Sequence, residues 1–124
     1  MAATKLDAAG TQKMKTLEEA LHQLQTINGM VERMGIEIKQ QKPVGIIPQQ
    51  IKRLAGNLQG QLKGQFGIIA DQVSAMILAS TRGGSDTVRL RTLREFVAQI
   101  RTAVDINVNK VKEQHSEEIV LSDE

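Results

Sequence analysis

Three stretches of the chain alternate apolar and polar positions with the period of an amphipathic helix. The first begins near Thr11, where Met14, Leu17, Leu21, Leu24, Asn28, Val31, Gly35 and Ile38 follow one another in unbroken steps of three and four. That rhythm is the heptad seam of a left-handed coiled coil. Ala20, Ile27 and Met34 widen the stripe on one side, so this helix can touch more than one neighbour. Pro43 disfavours a helical residue before it and predicts an end near Gln41. The loop Pro43-Val-Gly-Ile-Ile-Pro48 follows, with Pro48 suited to the first turn of a second helix.

That second helix is predicted to run to about Thr81. Ile51, Leu54, Leu58, Leu62, Phe66, Ile69, Val73 and Met76 share a face, with one additional four-step that relaxes the supercoil locally. Arg82-Gly-Gly-Ser85 breaks the pattern: glycines end one helix and Ser85 or Asp86 caps the next. Leu90, Leu93, Val97, Ile100, Val104, Asn107 and Val111 then resume strict heptads, which fade near His115.

The expected organisation is a flexible lead-in over residues 1–10, a helical bundle over 11–115 (helices at about 11–41, 48–81 and 85–115) and a flexible acidic tail over 116–124. The fold class is all-α, with three long antiparallel amphipathic helices in a coiled-coil-like bundle. Helices of ~45 Å leave apolar edges that a three-helix monomer does not cover, so completion by homodimerisation is expected.

Composition supports that picture. Only 2% of the 124 residues are aromatic, Phe66 and Phe96, so Leu, Ile, Val, Met and Ala must fill the core. Bundles accept such a diet better than sandwiches or barrels. With no cysteine, disulfides, thiolate metal sites and cysteine nucleophiles are excluded. No apolar run reaches the length of a membrane span or a signal peptide's core, which makes the cytoplasm the expected location. The net charge of +2 hides an asymmetry. Residues 113–124 hold five acids and no Lys or Arg, whereas 1–112 hold all 16 basic residues and nine acids, a net +7.

Gly56, Gly60, Gly64 and Gly67 are the most unusual feature, recurring at steps of four, four and three and lying roughly opposite Leu58, Leu62 and Phe66. Each glycine inside a helix costs ~1 kcal/mol relative to alanine. The stripe therefore reads as a close-approach surface for a partner backbone, as a softened helix, or as a tolerated neutral face. No acid occurs between Lys39 and Ala70, while Lys52, Arg53 and Lys63 fall there, a composition suited to a polyanion. Arg94 and Arg101 flank the third seam and Arg91 points away from it, so no single basic face results, and no aromatics interleave for base stacking. No nucleic-acid-binding motif is recognisable.

His22 lies opposite the first seam, as phosphorelay histidines do, but it is followed by Gln23 and Leu24 in place of an acid or a Lys-Gly pair. Glu19-x-x-His22 occurs once, on the solvent side, which falls short of a carboxylate-bridged metal site. Metal, cofactor and active site are all expected to be absent. Asn28 and Asn107 sit on the first and third seams, where a buried asparagine can fix register or partner number. The run Glu117-Glu-Ile-Val-Leu-Ser-Asp-Glu124 resembles a SUMO-interacting segment and suits strand addition to a sheet edge, docking back on the basic body, or a solubilising end. The chain thus reads as a non-enzymatic helical interaction protein with a protein partner, a homodimer being one form of it. A small basic subunit on nucleic acid or another polyanion is the alternative, and phosphotransfer through His22 a second.

Overall fold

A computed structural model of the chain describes residues 2–120. Its body is all-helical, with four helices where the apolar pattern predicts three: α1 (Ala8–Lys39), α2 (Ile47–Leu62), α3 (Gly67–Thr81) and α4 (Asp86–Gln114). Each packs on its neighbour in the chain, and α4 closes back on α1. The result is an up-down-up-down bundle. At 1.5 Å per residue α1 spans ~48 Å and α2 ~24 Å, so the α2–α3 hairpin covers only part of the α1–α4 pair.

The predicted second helix is the main correction. It divides at Lys63–Phe66, where Phe66 leaves helical geometry at φ −132°, ψ 61°. The additional four-step put Phe66 beyond the face of a straight helix. By breaking beside Gly64 and Gly67, the chain folds α3 back along α2 and buries Phe66 at the corner. The glycines that weaken a long helix make the turn inexpensive.

The other ends have identifiable causes. Asp7 caps α1 through a 2.6 Å bond accepted from the Gly10 N–H. At the far end Gln41 adopts φ 59°, with Lys42 N donating to Glu37 O and Gln41 N to Ile38 O. This is a Schellman cap with glutamine in the seat glycine usually takes. Pro48 stands in the first turn of α2, and Ser85 caps α4 by accepting from Val88 N at 3.2 Å, both as the sequence indicated. Residues 1–10 and 116–124 were read as flexible ends. Within them, α1 already begins at Ala8, and β1 (Ala2–Leu6) pairs antiparallel with β2 (Ser116–Val120). Leu121–Glu124 of the acidic run lie outside the described residues.

The α4 seam keeps its predicted phase: Leu90, Leu93, Val97, Ile100, Val104 and Val111 are all buried. In α1 the phase rotates. Its buried line is Leu17, Ala20, Leu24, Ile27, Val31 and Met34, so the residues expected to widen the stripe form half its centre. The reason is the packing of α1 against both α2 and α4. Met14, Leu21 and Gly35 are left half-buried, and Asn28 exposed.

Candidate interaction surfaces

The displaced row of α1 defines a groove. Met14, Leu21, Asn28 and Gly35 recur every seven residues along the edge of α1 that faces α4. Leu21, Leu24 and Val97 floor a groove of about 310 Å³, with Gln25, Asn28 and Glu32 on the α1 wall and Arg94, Ala98 and Arg101 on the α4 wall. A second depression continues past Leu21 to Met14, Glu18, Val108 and Lys112. At the upper end Glu32 accepts two bonds from Arg94, at 3.1 and 3.2 Å, both side chains being about half exposed. Such a bridge contributes ~0.2–1 kcal/mol to stability; its larger consequence here is orientation.

Gly35 gives the bridge room. A Cβ there would lie 2.7 Å from the Arg94 guanidinium, so the glycine lets Arg94 cross over α1 to reach Glu32. Arg94 and Arg101 thus stand at the edge of the seam, as expected, and both line the same wall.

Asn28 and Asn107 are not brought together. Asn28 is exposed in the groove, whereas Asn107 is half-buried and donates to Ala103 O, 2.8 Å away in its own helix. Antiparallel pairing of α1 and α4 sets Asn28 near Val97 and Ala98 and leaves Asn107 about two turns further down.

The glycine stripe is divided by the turn. Gly56 and Gly60 lie in α2, Gly64 in the connection and Gly67 at the start of α3; all four are exposed, and a Cβ at any of them would meet nothing within 4 Å. Lys52, Arg53 and Lys63 are exposed as well. Lys52 and Arg53 share the outer face of α2 with Gly56 and Gly60, the side turned away from Ile51, Ala55 and Leu58, and Lys63 follows at its C-terminal end.

A third cluster escaped sequence reasoning because its members are about a hundred residues apart. The Asp7 carboxylate lies 3.2 Å from His115 Nδ1, and Lys13 Nζ lies 3.1 Å from His115 Nε2. Lysine can only donate, so Nε2 accepts and Nδ1 carries the proton toward Asp7. Asp7 N also donates to His115 O at 2.8 Å. The Gly10 N–H holds the Asp7 carboxyl below its ordinary range, His115 and Lys13 add to the effect, and partial burial opposes it. The sequence signal was Asp7-x-x-Gly10, a capping pattern inside what read as a lead-in. The cluster joins the start of α1 to the end of α4.

His22 is exposed, in a shallow depression with Lys15, Glu18 and Glu19. Among the described residues its imidazole makes no hydrogen bond, and only its carbonyl is used, by Thr26. No group of three His, Asp or Glu among the described residues is placed to hold a metal ion, and no helix among them is long and apolar enough to cross a membrane. No protein family, curated protein or solved structure matches the chain.

Proposed function

We propose that the protein is a non-enzymatic interaction module that presents the outer face of the α1–α4 pair to another helical surface. The observation that carries this reading is the row Met14–Leu21–Asn28–Gly35. Its four positions keep the heptad rhythm of α1 yet stand at the edge of the core, Met14 and Leu21 half-buried against it and Asn28 exposed, along a groove with an apolar floor and charged walls. Seam positions that the chain's own fold leaves at the surface are what a further helix would use.

The test is hydrogen–deuterium exchange on the full chain, alone and with a protein captured on it. Added protection over 14–36 and 90–108, lost on substituting the groove residue Ala98→Arg, is the expected result. Protection confined to α2 would instead favour a second reading, in which Lys52, Arg53 and Lys63 rest on a polyanion; their joint exposure on an acid-free stretch supports it. That reading expects retardation of RNA or DNA that falls steeply with salt. An absence of retardation at low salt removes it. Gly56 and Gly60, beside these cations, leave room for a backbone to approach the outer face of α2.

A further inference from the structure

We infer that the occupant of the α1–α4 face is a second copy of this chain, related by a two-fold axis running parallel to the helices. This rests on the proposed interaction face and names its partner. The argument begins with the sign of the two walls. On α1 the groove is edged by Glu18, Gln25 and Glu32; on α4 it is edged by Arg94, Arg101 and Lys112. The α1 edge carries two acids, Glu18 and Glu32, and the α4 edge three bases, with the exposed Asp105 between Arg101 and Lys112 on the same helix row.

Height matters as much as sign. The helices are antiparallel, and residues at one level have numbers adding to about 126, as the bonded pair Glu32 and Arg94 shows. By the same rule Gln25 is level with Arg101, and Glu18 with Val108, one turn from Lys112. A two-fold axis parallel to the helices preserves height, turns the face over and exchanges left for right. It therefore lays α1 on the partner's α4, so that Glu32 meets Arg94 and Gln25 meets Arg101 at their own levels, and Glu18 stands one turn from Lys112. An axis perpendicular to the helices lays α1 on α1 and α4 on α4, bringing acids against acids and arginines against arginines. Like charges set face to face oppose that arrangement. The charge pattern thus selects one symmetry and is self-complementary in it.

Two more features fit. Gly29 lies on the outer side of α1, one turn from Gln25 and from Glu32, and a Cβ there would meet nothing within 4 Å. The height rule puts it opposite the exposed Ala98, a small residue on each side where two helices must come close. Ile36, 54% exposed on the same side, is level with Leu90, whose 7% exposure is at the groove edge. The Asn28 side chain would then enter the interface, which restores a register-setting part to the first of the two seam asparagines.

Sedimentation of the full chain tests this, using a variant with both walls predominantly basic, Glu18→Lys with Glu32→Lys, and one with both walls predominantly acidic, Arg94→Glu with Arg101→Glu. The wild type should sediment as two chains and dissociate as salt rises. Each variant alone should be monomeric, and an equimolar mixture should recover the dimer, because each basic wall then meets an acidic one. Circular dichroism establishes that the variants are folded. A milder pair, Glu18→Gln with Glu32→Gln, adds no like charge and should weaken the dimer about tenfold. A monomeric wild type, variants that still dimerise alone, or folded variants that stay apart on mixing would each overturn the inference. A monomeric wild type whose groove still gains protection from another captured protein would remove the second copy and leave the proposed function standing.

Discussion

Alanine should move stability in opposite directions at two glycines of this chain, Gly10 and Gly60. Both are helical, and at both the intrinsic preference favours alanine, by ~0.8–1 kcal/mol in a helix interior. At Gly60 nothing opposes that gain, because a Cβ would meet no atom within 4 Å. Gly60→Ala should therefore stabilise by about 1 kcal/mol, and Gly56→Ala likewise. At Gly10 the same Cβ would lie 2.4 Å from His115 Cβ and 3.1 Å from its Cγ. Carbon pairs rest at ~3.5–4.0 Å, so α1 and α4 must part by roughly 1 Å. Neither Cβ can rotate away, since each is fixed to its backbone. Overpacking of this kind costs ~1–3 kcal/mol, which outweighs the helical gain and leaves Gly10→Ala destabilised by about 1 kcal/mol.

The two variants should thus differ by about 2 kcal/mol, or ~8 °C in Tm for a chain of this size. Urea denaturation followed by circular dichroism measures each. A double-mutant cycle with His115→Gly, which deletes the opposing Cβ, should show coupling of at least ~1 kcal/mol. Gly10→Ala stabilising as much as Gly60→Ala would refute the close approach of the two helix ends. Gly60→Ala failing to stabilise would refute the open outer face of α2.

Three other outcomes follow from the same structure. Ser85→Ala removes the acceptor of the Val88 N–H and should cost ~1 kcal/mol, read from the urea midpoint. Gln41→Gly relieves a left-handed glutamine at φ 59° and should gain up to ~1 kcal/mol, the backbone relief slightly exceeding glycine's greater freedom when unfolded. Asp7 has a folded-state pKa below its ordinary 3.8, so its contribution is complete above that value and fades as pH falls through the lowered one. Thermal melts of wild type and Asp7→Asn should accordingly converge below about pH 3.8, and curves that stay parallel on acidification would contradict the assignment.

Much of the fold was legible because local rules and packing agree. The heptads of α4 kept their phase, and the caps at Ser85 and Pro48 stand where their chemistry put them. Disagreement arose where one signal had two readings. Four glycines in twelve residues were visible as a cost in helix stability; only tertiary packing shows that Gly64 and Gly67 spend it on a turn that buries Phe66. The rotation of α1 has the same origin. Periodicity marks every apolar position without saying which neighbours will divide them, and contact with both α2 and α4 moved the centre to Ala20, Ile27 and Met34.

The candidate face was the least legible part, for a definite reason. Glu18 and Glu32 are separated from Arg94 and Arg101 by some sixty to eighty residues, and nothing local relates them. What relates them is the register of α1 on α4, and a shift of one turn would set Glu32 between Arg94 and its neighbours. That register is held from both ends, by Arg94 lying over Gly35 above and by Asp7, Gly10 and His115 below. At Gly10 the crossing needs a residue without a side chain, because His115 Cβ is fixed to its backbone; at Gly35 the glycine gives room to the movable end of Arg94. Gly10, unlike the outward glycines of α2, is where small size decides how closely the long helices approach. If opposite charge along the groove is what pairs two chains, the close approach at Gly10 and the bridge from Arg94 to Glu32 are what hold those charges level.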